Sequence, residues 1–196
     1  MKNKVILIAG KKRAGKDYAG EIIKQFMPGI KCVRFADTIK EIISSTFGIS
    51  LEDLEEYKNN TDQYGLEIKA YPNNQPEATI KYINFREILQ KFGTEGMKPI
   101  FGDDIWVEAC YNKIKDSEYS IITDFRFLSE YKSLLEKGFE IYTIKIFNDN
   151  LESDDSHSSE NDLENNNFVY DFYIDNTNKP DITEDIKDIL NSIFED

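Results

Sequence analysis

The sequence predicts an α/β fold of three layers, with a mainly parallel central sheet and helices on both faces. Three observations carry this expectation. Short apolar runs alternate with amphipathic helical stretches along the chain, and crossovers of that kind favour parallel pairing with right-handed connections. The first apolar run, Val5 to Ala9, breaks into a loop bounded by Gly10 and Gly15. A helical stretch follows at once, so the loop lies at the carboxyl end of a strand, where such sheets bind ligands.

That loop reads Gly10-Lys11-Lys12-Arg13-Ala14-Gly15-Lys16-Asp17. Its spacing, Gly-x4-Gly-Lys, is that of a phosphate-cradling P-loop. Glycines let the backbone curl so that several N–H groups converge on one anion, and the next helix presents its positive end. The predicted class is thus a three-layer P-loop NTPase fold with a lid segment. One position departs from the motif. Asp17 stands where Ser or Thr normally meets magnesium, although a carboxylate can ligate that ion or its waters. The bland alternative is a glycine-rich turn with a solvated basic cluster. Four cations within six residues of an acidic chain speak against it.

The elements follow in order. Tyr18 to Phe26 is the first helix and Lys31 to Phe35 a short second strand. Asp37 opens a helix to about Phe47, with Ile39, Ile42, Ile43 and Phe47 on one face. Ser50 caps a short helix to about Tyr57. Residues 58–83 form a surface excursion with room for a small hairpin. Asn84 caps a helix ending at Gly93, followed by the turn-rich patch Gly93-Thr94-Glu95-Gly96. Asp104 caps a helix to Lys115. Tyr119 to Asp124 is a buried strand ending in a carboxylate. Ser129 caps a helix ending near Gly138, and Glu140 to Ile146 is a strand. Residues 148–167 are acidic and lack Lys and Arg. Phe168 to Ile174 is the last strand, and Thr183 caps a final amphipathic helix with Ile186, Ile189, Leu190 and Ile193 inward.

Composition bounds the rest. The 196 residues suffice for one domain with a true core. A net charge of −13 excludes general nucleic-acid binding, which needs a basic face. Cys32 and Cys110 lack metal spacing and read as buried thiols of a reducing cytoplasm. The opening apolar run is too short for a signal peptide or membrane helix, so no membrane partner is expected.

Other residues could carry chemistry. Asp124 closes a hydrophobic strand, where P-loop enzymes place a carboxylate near magnesium. Arg126 and Glu130 follow, with helix capping and a surface ion pair as the plainer reading. Phe35 could stack on a base and Lys40 could meet a phosphate, against a core Phe and a solvated Lys. Arg86 could fork onto two phosphate oxygens. His157 is the single histidine and reads more simply as an exposed loop residue. A phosphate acceptor is already anionic, so transfer to it requires no general base.

Five stretches together resemble the bacteriophage deoxynucleoside monophosphate kinases. They are Gly10 to Asp17, Phe35-Ala36-Asp37-Thr38-Ile39-Lys40, Leu89 to Gly96 running on to Trp106-Val107, Ile122-Thr123-Asp124-Phe125-Arg126-Phe127, and His157-Ser158-Ser159-Glu160 before Asp171 to Asn176. The resemblance implies one kinase domain over residues 1–196, with 148–167 in the place of a mobile lid. It implies an ATP-dependent, magnesium-requiring enzyme that makes deoxynucleoside diphosphates from monophosphates in the cytoplasm, the host's if phage-encoded. By the same resemblance, Gly10, Lys12, Arg13, Ala14, Gly15, Lys16 and Asp17 hold ATP, and Asp17 and Asp124 serve magnesium directly or through water. Lys16, Arg13, Arg126 and Asp124 are the expected catalytic set. Phe35, Lys40, Arg86, Phe92, Thr94, Glu95, Trp106, Arg126, His157 and Glu160 are the expected acceptor set. Alternatives are another small-molecule P-loop kinase, of phosphomevalonate or dephospho-coenzyme A type, or a non-catalytic nucleotide switch. The partners expected are small nucleotides, with a homodimer as the commonest assembly.

Overall fold

The computed structural model describes residues 3–70, 79–151, 162–179 and 181–194. The chain runs β1 (Lys4–Ala9), α1 (Lys16–Phe26), β2 (Lys31–Val33), α2 (Asp37–Phe47) and α3 (Leu51–Asn59). It continues with β3 (Gly65–Ala70), β4 (Thr79–Asn84), α4 (Phe85–Gln90), α5 (Lys98–Phe101) and α6 (Ile105–Ile114). Then come β5 (Tyr119–Ile122), α7 (Leu128–Glu136), β6 (Glu140–Phe147), α8 (Asp162–Asn165), β7 (Phe172–Asp175) and α9 (Thr183–Phe194). These elements form two compact units, one of Met1–Phe35 with Val107–Asp196, the other of Ala36–Trp106.

The first unit holds a five-stranded sheet in the order β2-β5-β1-β6-β7. All four pairings are parallel, as the alternation of strands and helices predicts. Successive residues of a strand face opposite sides, and the central strand shows what each side meets. Ile6 and Ile8 join a core with Ile22 and Ile23 of α1 and Ile186, Ile189, Leu190 and Ile193 of α9. Val5, Leu7 and Ala9 join another with Val107, Cys110 and Ile114 of α6 and Leu134 of α7. Both faces of β1 are therefore buried, which is why it reads as a continuous apolar run rather than an alternating one. These are the three layers of the predicted class. Successive crossovers leave β1 by one face and β5 by the other, so the carboxyl ends of these neighbours form the topological switch point.

The second unit is smaller. Its core packs Ile43, Leu54, Ile83, Phe85 and Ile88, and β3 pairs antiparallel with β4. The excursion thus holds a two-stranded antiparallel sheet, and its second strand supplies core residue Ile83. Ser50 caps α3 as expected, its hydroxyl accepting from the Asp53 N–H at 2.9 Å.

Three expectations are corrected. The patch Gly93 to Gly96 is not a turn: Lys91–Met97 is a wide π-helical turn between α4 and α5. The Gly93 carbonyl there accepts from the indole N–H of Trp106 at 3.0 Å, and a Cβ on Gly93 would stand 3.0 Å from Ile39 Cδ1. Ser129 does not cap α7; Glu130 reaches back to the N–H groups of Arg126 and Phe127 at 2.9 and 3.0 Å. The last strand begins at Phe172, not Phe168. The Phe168 N–H donates to Leu163 at the end of α8, and its ring packs against Phe125 and Tyr170.

Candidate nucleotide site

The loop after β1 is held open by local backbone requirements. Gly10 has φ +155° and Gly15 φ +108°. A Cβ on Gly10 would collide with the Ile146 carbonyl of β6, and one on Gly15 would stand 2.8 Å from the Asn176 amide nitrogen. Asn176, just after β7, donates its side-chain amide to the Ala14 carbonyl at 3.0 Å and its backbone N–H to Phe147 at 2.8 Å. Two neighbouring strands thus fix the loop. Arg13 sits at its tip in the left-handed region, with φ +67°. Gly15 brings no capping side chain to α1, so the positive end of an eleven-residue helix is left to an anion. Lys16 folds back, donating to the carbonyls of Gly10 and Lys11 at 2.6 and 2.7 Å.

Charges cluster at the neighbouring strand ends. Asp17 accepts from the Arg34 guanidinium at 2.6 Å and the Thr123 hydroxyl at 3.3 Å. Arg34 also donates to Thr123 at 3.3 Å. Asp124 accepts from the Phe35 N–H at 2.8 Å, tying the ends of β5 and β2. Glu130 is pushed up to about 8, by burial first and also by the Asp124 charge, against N–H bonds from Arg126 and Phe127.

Beside the loop lies a pocket in the first unit. Its apolar wall is Ala9, Phe125 and Leu163; Gly10, Lys11, Arg126, Lys145 and Tyr170 complete it. Lys145, from β6, lies 3.3 Å from Glu164 and 5.4 Å from the Tyr170 ring centre. The Tyr170 hydroxyl is buried and has no hydrogen-bond partner among the described residues.

The expected ATP residues Gly10, Lys12, Arg13, Ala14, Gly15, Lys16 and Asp17 therefore form one contiguous loop and helix start, and Arg126 shares a pocket with Gly10. The acceptor set is placed less uniformly. Phe35 is 5% exposed within the core of the first unit and presents no open face to a base. In the second unit, Lys40 pairs with Glu55 at 2.9 Å, and Glu55 also pairs with Lys58. Burial raises the Glu55 carboxyl, but the two lysines outweigh it and hold its pKa below the usual value. Arg86 donates to the Lys58 carbonyl at 3.2 Å and to Asn59 at 3.4 Å, securing the end of α3. Phe92 and Trp106 lie with ring centres 6.3 Å apart, Trp106 being 7% exposed. Thr94 and Glu95 are exposed on the π-helical turn. His157 and Glu160 lie outside the described residues, as does half of the acidic segment, 152–161.

Four site residues escaped the sequence reading. Arg34, beside Phe35, was signalled only by its place at a strand end. Lys145 interrupts the apolar run of β6 between Ile144 and Ile146. Tyr170 carries no local signal, and Asn176 was signalled only as the end of the Asp171 to Asn176 stretch; the fold brings both to the loop.

Among the described residues no group of three or more His, Cys, Asp or Glu could hold a metal ion, and no helix is long and apolar enough to cross a membrane. Parallel sheet, switch point and glycine-bounded loop define a P-loop α/β protein. No protein-family model and no curated protein matches the chain. Among solved structures it is similar to dephospho-CoA kinase from Campylobacter jejuni, at 20% identity and TM-score 0.48 over 97% of each chain. It is also similar to APS kinase from Mycobacterium tuberculosis, at 9% identity and TM-score 0.43 over 98% of this chain and 97% of that one. The class rests on the sheet topology and the loop.

Proposed function

We propose that this chain is a P-loop kinase that transfers the γ-phosphoryl group of ATP to a deoxynucleoside monophosphate. The observation that carries the reading is the loop Gly10–Asp17 with Lys16 on its carbonyls and Lys11 and Arg126 lining one adjoining pocket. Backbone N–H groups, a helix terminus and fixed cations are what phosphoryl transfer asks for, because positioning and charge neutralisation dominate its catalysis. The resemblance of the five stretches to the phage kinases supplies the acceptor class.

Lys16 exchanges its loop carbonyls for the outer ATP phosphates. Arg13 and Arg126 neutralise charge on the transferring group, a task the acidic segment 148–167 cannot perform without cations. Asp17 and Asp124 are hard oxygen donors suited to magnesium, which takes one or two carboxylates together with waters and nucleotide phosphates. Bound there, directly or through water, the ion would neutralise phosphate charge. In the second unit Lys40, Arg86, Phe92, Thr94, Glu95 and Trp106 are the acceptor-side candidates. The acceptor oxygen is anionic, so no side chain has to remove a proton from it.

The test is a panel of acceptors with ATP, read by ADP release. Deoxynucleoside monophosphates should turn over well above dephospho-coenzyme A, phosphomevalonate and the no-acceptor control. Binding of ATP without turnover of any small acceptor would instead identify a nucleotide switch.

A further inference from the structure

We propose that Lys145 and Tyr170, together with Arg126, seat the phosphoryl group of the acceptor. This rests on the kinase reading and names one site within it. The two residues line the pocket that Gly10 and Lys11 also line. Donor phosphates belong inside the loop, among its N–H groups. An anion in this pocket is next to the loop yet not in it, as the receiving group must be.

The pocket's chemistry matches a phosphate monoester. Among the described residues its lining holds three cations, Lys11, Arg126 and Lys145, which suits a dianion. Tyr170 is 7% exposed, and its hydroxyl lacks a partner among the described residues. A buried polar group without a partner costs stability, and a phosphate oxygen would satisfy it. Burial first, then the nearby Glu164 charge, raises this phenol to about 12, so it remains a donor at any working pH. Glu164 lies outside the lining and pairs with Lys145 at 3.3 Å. It holds the lysine until an anion takes its place, and so competes with the acceptor.

The test uses the full chain with Tyr170→Phe, Lys145→Met, Lys145→Arg and Glu164→Gln. Steady-state kinetics are read with the best deoxynucleoside monophosphate, and calorimetry with that nucleotide and with inorganic phosphate. Tyr170→Phe should raise the acceptor KM several-fold with ATP KM unchanged, while thermal stability stays level or rises. Lys145→Met should weaken acceptor and phosphate binding tenfold or more, and Lys145→Arg should recover much of it. Glu164→Gln should move the other way and tighten phosphate. Unchanged acceptor binding in Tyr170→Phe and Lys145→Met, or an equal loss of ATP, overturns the assignment. If the wild-type chain phosphorylates no nucleotide, the kinase reading fails separately. Phosphate binding that ignores Lys145 and Tyr170 would then overturn this site as well.

Discussion

Lys16 donates to the carbonyls of Gly10 and Lys11 in its own loop, and its replacement should chiefly remove phosphate stabilisation. Lys16→Ala is expected to cut kcat roughly 100- to 1000-fold, the usual loss for one preorganised electrostatic contact, with an unchanged unfolding midpoint; retained turnover would remove the P-loop role. Glu130 gives a second residue-scale expectation. A folded carboxyl at about 8 against an unfolded value of 4.5 binds its proton more tightly when folded. Stability from this group is therefore fully present below pH 4.5, and is lost as pH rises through that window to about 8. Glu130→Gln keeps an acceptor for the two N–H groups but does not ionise. It should match the parent near pH 5 and exceed it by several degrees in melting temperature at pH 8. A difference that stays flat with pH would mean that Glu130 is ionised throughout. At this scale the sequence showed which residues are charged, not which charges meet. The Arg34–Asp17 pair joins residues seventeen apart, through a pairing of β2 with β5 that no local pattern encodes.

At the scale of elements, β1, the loop and α1 were legible because strand periodicity, glycine spacing and helix onset agree over one short stretch. The helix ends were less so, because a cap signal such as Ser129 competes with a neighbour, Glu130, able to reach two N–H groups. The π-helical turn is the clearest case. Gly-Thr-Glu-Gly has turn chemistry, yet the helix continues because Trp106 takes the Gly93 carbonyl that the widened turn presents, a contact thirteen residues away. Such turns often mark functional positions, and Thr94 and Glu95 lie on this one. Removing the indole N–H while keeping an aromatic ring tests the explanation. Trp106→Phe removes this buried hydrogen bond and should cost about 0.5–1.5 kcal/mol, read by urea denaturation. A variant as stable as its parent would show that the turn persists on backbone geometry alone.

For the whole molecule, charge sets the conditions under which an anionic nucleotide arrives. The chain carries a net charge of −13, while the loop region concentrates Lys11, Lys12, Arg13 and Lys16. These act over different ranges. Near 0.01 M salt the screening length is about 30 Å, and the whole acidic surface repels the ligand; near 0.1 M it is about 10 Å, and only the loop's own cations reach it. A basic nucleotide-binding protein loses association rate steadily as salt is added. Here kcat/KM for ATP should rise or hold level between about 0.01 and 0.1 M salt, and fall only above that, when the cluster itself is screened. Arg126→Ala should keep this salt profile for ATP, because its pocket lies outside the loop, while lowering turnover more than ATP affinity. A steady fall from the lowest salt would show that the local cluster dominates the field at every range. An equal loss of turnover and ATP binding in Arg126→Ala would move that arginine to the donor side.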